Sequence, residues 1–352
     1  MEYFKGKKVL VTGDTGFMGA WLCEILLLYG AKVVGFASKP PTNPSLFEVL
    51  KLQQRMTHYD GDIRDYGQLE KVFCKEEPEI VIHMAAQTLV GEAYKEPKIT
   101  YDINVGGTTN VLECVRKSNS VKTVLNVTTD KVYKNKEWAW GYREDDELDG
   151  YDPYSNSKSC TELLAHSYYL SFFKEAGISI ASVRSGNVIG GGDFAFERIV
   201  PSCVKAVMDK KEIVIRNPNA VRPYQHVLEQ VFAYLLVAKN SCKRKGSMSI
   251  YNIGPNEKDC VTTGKIATLF HDKSQAHPKW IFEQQEGPHE ANFLRLDSAK
   301  MKAELQWDTT WNIEKAIEKT CEWTEAYLAS EDMIAVTDKQ ILEFDQEKNW
   351  NM

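Results

Sequence analysis

Three glycines spaced three apart, Gly13-Asp14-Thr15-Gly16-Phe17-Met18-Gly19, follow directly on the apolar run Lys8-Val9-Leu10-Val11-Thr12. Behind them Met18, Trp21, Leu22, Ile25, Leu26 and Tyr29 recur at helical spacing until Gly30. This order reads as strand, tight turn and helix. Gly13 allows the sharp turn, Gly16 lets backbone come close to a ligand, and Gly19 lets the helix lie close to the strand. Amides at the start of a helix face outward, and the helix dipole favours an anion there. The turn therefore predicts a dinucleotide pyrophosphate site, with Gly13, Thr15, Gly16, Phe17, Met18 and Gly19 as its candidate residues.

The rest of the first half repeats the alternation. Candidate strands are 32–36, 55–59, 79–83, 121–127 and 178–183, and helical patterns fill 66–76, 99–117 and 154–174. Alternation at this spacing predicts an α/β protein with a Rossmann-type, doubly wound parallel sheet. Ligands of such sheets bind beyond the carboxyl ends of the strands. After Asn187 the pattern loosens into turns and shorter helices, which predicts a smaller, mixed α/β substrate-binding lobe over those ends. The expected division is a dinucleotide-binding part at 1–187 plus about 228–253, a second lobe at 188–227 plus about 254–330, and a tail at 331–352. For that tail a terminal helix and a frayed end both fit.

Bulk properties narrow the function. The net charge of −6 over 352 residues argues against nucleic acid as the main partner, since phosphate contacts need a basic surface. The eight cysteines form no CxxC pair and have no histidine at ligand spacing, so reduced thiols and no metal centre are expected. No apolar run approaches the roughly 20 residues of a membrane helix. The start of the chain does not read as a signal peptide. These features predict a cytoplasmic protein that does not enter membranes.

Two segments carry chemistry. Tyr154 and Lys158 stand four apart, on one face of a helix. A lysine ammonium and a cationic nicotinamide together would draw a tyrosine down from its ordinary pKa of ~10, making it a base toward a sugar hydroxyl. Directly after the fifth strand stand Thr129, Asp130 and Lys131. Thr129 can donate to a reacting oxygen, and Asp130 can act as a general acid in an apolar cleft. Lys131 can be a base when neutral or stabilise an enolate when charged. An extended chain points 130 away from 129 and 131, so all three meet one ligand only if the chain turns there.

Taken together, Gly13-x-x-Gly16-x-x-Gly19, His83-Met84-Ala85-Ala86-Gln87, Thr129-Asp130-Lys131 and Tyr154-x-x-x-Lys158 resemble the extended short-chain dehydrogenase/reductase superfamily. The segments 41–48, 137–144, 186–193, 216–226 and 289–294 are similar to its CDP-glucose 4,6-dehydratase branch. The likeness runs from about Lys7 to Leu328.

The resemblance implies a nucleotide-sugar substrate, CDP-glucose, and an NAD cofactor. It assigns hydride-transfer chemistry to Thr129, Tyr154 and Lys158, protonation of the departing O6 hydroxyl to Asp130, and the place of a glutamate in dTDP-sugar relatives to Lys131. It puts Asp62 and Ile63 at the adenine, His83, Ala85 and Ala86 beneath the cofactor, and Gln87, Asn187, Arg222 and His289 on the substrate side. It also implies a homodimer or homotetramer joined through the helices at 99–117 and 154–174. At the end of the second strand, Ser38-Lys39 replaces the acidic residue that commonly holds the ribose. A lysine there suits a 2′-phosphate, so NADP stays open beside NAD. An epimerase or reductase on the same scaffold is the alternative enzyme, and a non-catalytic cofactor-binding protein the alternative of another class. The pairing of Asp130 with Lys131 favours dehydration, because an epimerase needs no acid at C6.

Overall fold

The run Lys8–Thr12 forms β1, in the interior of a sheet of seven parallel strands. The others are β2 (Lys32–Ala37), β3 (Thr57–Asp60), β4 (Ile80–His83), β5 (Thr123–Val127), β6 (Ser179–Ser185) and a last strand, Met248–Ile253. Across the sheet the order is Met248–Ile253, β6, β5, β4, β1, β2, β3. The order reverses between β4 and β1, the place where an open sheet leaves a crevice for a ligand. The computed structural model describes residues 1–195, 198–283 and 294–350.

Alternate strand residues enter opposite layers, as the pleat requires. Val9 and Val11 join one core with α1 (Phe17–Leu28), the helix Val227–Lys243 and the helix Met333–Glu347. Leu10, Val34, Val81, Val124 and Ile180 join the opposite core with helices Tyr66–Glu76 and Gly107–Lys117. A third apolar cluster, containing Ile189, Cys203, Ile213, Tyr224, Phe270 and Ile317, involves helices Ile199–Asp209, Thr263–Lys273 and Ile313–Leu328. None of the described helices is long and apolar enough to cross a membrane.

Two local expectations change, and one that the sequence left open is decided. The third strand starts at Thr57, not Arg55, because Arg55 ends a short helix and places its guanidinium on the buried carboxylate of Glu24, at 2.5 and 2.7 Å. The two long helical patterns each contain a wide π-type turn, at Asp102–Gly106 and at Tyr169–Phe173. The C-terminal segment is a helix, Met333–Glu347, capped by Asp332. Its Phe344 packs 4.9 Å from the Phe232 ring, so a polar stretch contributes to the core.

Candidate active site

The glycine turn joins β1 to α1 at the crevice. Gly13 has φ of 78°, and a Cβ there would stand 2.8 Å from the Ala85 backbone. The turn after β1 and the loop after β4 therefore touch through backbone alone. A Cβ on Gly19 would stand 2.2 Å from the Gly13 carbonyl oxygen, while one on Gly16 would meet only that same oxygen, at 3.3 Å. Gly16 caps α1 without a side-chain acceptor, and the first turn carries no acidic residue. The amides of Phe17, Met18 and Gly19 are those a helix leaves without carbonyl partners. A bare, uncharged helix start under backbone that tolerates no side chain fits a dinucleotide pyrophosphate.

The remaining cofactor candidates surround this turn. The Thr15 hydroxyl donates to the Ser38 carbonyl at 3.0 Å, and exposed Lys39 follows. Asp62, past the end of β3, pairs with Arg64 at 2.6 Å, which holds its carboxyl below the ordinary range. Ile63 packs against Gly107. His83 is buried with both ring nitrogens engaged, Nδ1 with the Thr12 hydroxyl at 2.7 Å and Nε2 with the Thr108 hydroxyl at 2.9 Å. Burial pushes its pKa down to about 3. The ring is thus a neutral brace between β1, β4 and the helix Gly107–Lys117, and only the loop after it, with Ala85 and Ala86, is left to face a ligand.

The catalytic candidates converge because the chain turns after β5. Thr129 is extended and caps a one-turn 3-10 helix, Asp130–Val132. The turn defeats the strand alternation. Asp130 Oδ1 accepts from the Thr129 hydroxyl at 2.9 Å and from Lys131 Nζ at 2.8 Å. Asp130 is fully buried, and its Oδ2 has no partner among the described residues. Burial opposes the Lys131 charge, but the adjacent Asp130 carboxylate outweighs it and raises the lysine pKa.

Tyr154 and Lys158 lie on the helix Pro153–Tyr168, which Pro153 opens and Asp152 caps by accepting from the Tyr154 and Ser155 amides at 2.9 and 3.0 Å. Lys158 Nζ donates to the Val127 carbonyl at 2.9 Å, tying the helix to the end of β5. Burial lowers the Lys158 pKa to about 8, against the pull of Glu162. The Tyr154 phenol is raised by the chain's own groups, whereas the sequence expectation also counted a cationic nicotinamide beside it. Burial raises its pKa, and Lys131 and a hydrogen bond with Thr129 only partly offset this. The cations acting on the phenol from within the chain are Lys131 and, more weakly, Arg198.

On the substrate side the candidates divide. Gln87 is consumed by its own loop and the helix Pro97–Tyr101: Nε2 donates to the Leu89 carbonyl and the Thr100 hydroxyl at 3.1 and 3.0 Å, and Oε1 accepts from the Leu89 amide at 2.5 Å. Asn187 follows β6 and keeps a buried Oδ1 without a partner among the described residues. Arg222 lies on a short strand paired with Val261–Thr262, and its charge is felt at Lys131. His289 lies outside the described residues.

Two buried features escape a sequence reading built on motifs. Asn104 accepts from the Gln87 amide at 2.8 Å and donates to the Ser157 hydroxyl at 2.8 Å, joining the loop after β4 to the Tyr154 helix. Glu162 and Arg184 form an ion pair behind Lys158. In each case the available signal was a polar residue inside an apolar pattern.

Comparison with known proteins follows the same lines. Residues 10–320 match the family described as GDP-mannose 4,6 dehydratase. The chain is 41% identical to the CDP-glucose 4,6-dehydratase of Salmonella typhimurium, over 97% of both chains. It is 25% identical to the CDP-paratose 2-epimerase of Salmonella typhi, over 90% of this chain and 99% of that one. Among solved structures, a dTDP-glucose 4,6-dehydratase from Bacillus anthracis in complex with NAD superposes with a TM-score of 0.76 at 23% identity, covering 94% of this chain and all of the other. The UDP-glucose 4-epimerase of Thermotoga maritima gives 0.78 at 23% identity, covering 91% of this chain and 99% of that one.

Proposed function

The chain belongs to the GDP-mannose 4,6-dehydratase family, and on that premise we propose that it is an NAD-dependent sugar-nucleotide 4,6-dehydratase acting on CDP-glucose. The substrate assignment rests on the full-length likeness to a CDP-glucose enzyme. The reaction oxidises C4, removes water across C5 and C6, and leaves a 4-keto-6-deoxy sugar. NAD, held by the Gly13–Gly19 turn and the loop through Ala85 and Ala86, supplies a hydride acceptor for C4 and a hydride donor for C6.

One observation carries the reading: Thr129, Asp130, Lys131 and Tyr154 converge in one cleft, where an acid, a cation and a phenol act on adjacent carbons. Beside the cationic nicotinamide that NAD would add, which favours the phenolate, Tyr154 takes the proton of the C4 hydroxyl, and Thr129 donates to the same oxygen. The C4 ketone acidifies the C5 proton. Lys131 and Asp130 are joined by a 2.8 Å hydrogen bond, so one proton moved along it yields a neutral amine and a carboxylic acid together. The amine removes the C5 proton and the acid protonates the leaving O6, which restores the ion pair. When C6 has regained a hydride, the Lys131 ammonium, its protons exchanged with solvent, protonates C5, and the proton held by Tyr154 returns to solvent. The buried Oδ2 gives the acid a second oxygen that no neighbour among the described residues claims. Asn187 and Arg222 hold the substrate side.

The same reading includes self-association through the helices at 97–117 and 153–176. These carry Ile99, Leu163, Leu170 and Phe172 exposed, with Tyr94 beside them. A second copy of the chain is the occupant that covers this apolar face, and the assembly works in the cytoplasm.

The test is isotopic. CDP-glucose deuterated at C4 yields product lighter by one water with the label at C6, and heavy water places one deuteron at C5. Label remaining at C4 makes the enzyme an epimerase, and label lost to added NAD makes it a simple dehydrogenase.

A further inference from the structure

Glu162 stands one helical turn beyond Lys158, and the proposed reaction gives it no role. Its side chain is 1% exposed, as is that of its partner, Arg184 of β6. Arg184 Nε donates to Glu162 Oε1 at 2.9 Å, and Nη2 donates to Oε2 at 3.2 Å. The hydroxyl of Thr128, the residue before Thr129, donates to the same Oε1 at 2.6 Å. Arg184 Nη1 reaches onward to the Tyr133 hydroxyl at 2.8 Å and the Glu144 carbonyl at 2.9 Å. The Tyr133 hydroxyl in turn donates to Asn252 Oδ1 at 2.7 Å. The pair thus touches both ends of the 128–133 segment that carries Thr129, Asp130 and Lys131. Glu162 is on the helix that carries Tyr154 and Lys158, and Arg184 is on β6, the sheet neighbour of β5.

We propose that Glu162 and Arg184 are positioning residues of this site: they fix the Tyr154 helix against the Thr129–Lys131 turn, and the Glu162 carboxylate keeps Lys158 charged. The proposal rests on the reading of Tyr154 and Lys158 as the groups that open the reaction. A buried ion pair is rarely retained for stability, because desolvation offsets its attraction. Here it supplies what an apolar pair cannot, a fixed negative charge one turn from a buried ammonium.

The charges around Lys158 are few. Tyr154 and Glu162 share its helix, and His83 faces it from β4 but stays neutral above a pH of about 3. Glu162 is faced by Arg184 from β6, with Tyr133 and Glu144 behind the guanidinium. With a Lys158 pKa of about 8, loss of its charge falls within the working range of an enzyme.

The test uses the double variant Glu162→Gln with Arg184→Gln, which preserves hydrogen bonding without either charge, and Glu162→Asp, which preserves charge but shortens the reach. In the double variant the alkaline limb of kcat/KM moves to lower pH by about one unit, the size of a nearby-charge effect. Glu162→Asp lowers kcat without moving that limb. Independently of activity, the Tm deficit of the double variant shrinks as pH rises through about 8, since its cost is that of holding Lys158 charged in the fold. Adding Lys158→Met removes this pH dependence. An unmoved limb with a pH-independent Tm deficit, or an equal shift of the limb in Glu162→Asp, overturns the proposal. A wild-type protein that releases no water from CDP-glucose defeats the functional reading instead, and the Tm arm still reports on Glu162.

Discussion

Asp130 Oδ1 accepts from Thr129 and Lys131 together, while its Oδ2 stays buried with no partner among the described residues. Asp130→Asn keeps an amide oxygen for both donors, so the turn survives, but it cannot pass a proton. Release of water, followed as mass loss from CDP-glucose, falls at least ~10²-fold, the size of a general-acid contribution. Near-normal water loss removes Asp130 from the acid role.

Gly186 leaves the room that this carboxylate occupies. An added methyl would stand 3.3 Å from Asp130 Oδ2, 2.6 Å from Pro223 Cγ and 2.9 Å from the Pro223 carbonyl oxygen. Gly186→Ala therefore forces the loop after β6, Pro223 or the acid to shift. The expected cost is about 1–3 kcal/mol in stability, with turnover reduced more than tenfold. Calorimetry and kcat measure the two, and wild-type values of both contradict the packing argument.

Glu229 gives a pH signature outside the site. Its Oε1 accepts from the Thr310 and Trp311 amides at 2.8 and 2.6 Å, and burial raises its pKa to about 8. The folded chain then holds a proton that the unfolded chain releases at an ordinary carboxyl pH. Stability from this group is complete below the ordinary pKa and is lost as pH rises to about 8. Glu229→Gln keeps the acceptor and abolishes the titration. Its stability advantage over wild type, followed through Tm, grows from pH 5 to 8 by an amount on the order of 3 kcal/mol, and is flat above. A constant difference across that range means the carboxyl is ionised in the fold.

Leu170 is 56% exposed on the helical face assigned to self-association. Leu170→Glu places a charge there and touches no catalytic candidate. Light scattering at micromolar concentration shows monomer for the variant and a multiple of it for wild type. Equal masses disprove that surface.

Local spacing alone determined the frame. The Gly13–Gly19 turn, the strand at 8–12 and the alternation that follows are all short-range, and β-strand and helix periods write them directly into the order of residues. The sequence also placed Thr129, Asp130, Lys131, Tyr154 and Lys158 beyond strand ends, as a parallel sheet requires. Which atoms meet was decided by tertiary packing. The one-turn helix at Asp130–Val132 turns Lys131 toward Asp130, where an extended chain would part them. Gln87 is spent on its own loop, and His83 on a brace between strands, because buried polar groups take the nearest partners that the fold supplies. The phenol of Tyr154 rises in pKa because its own burial outweighs Lys131, a balance that depends on burial and distance. Glu162 meets Arg184 across 22 residues of chain, a pairing that no local period encodes and only the assembled sheet brings within 2.9 Å.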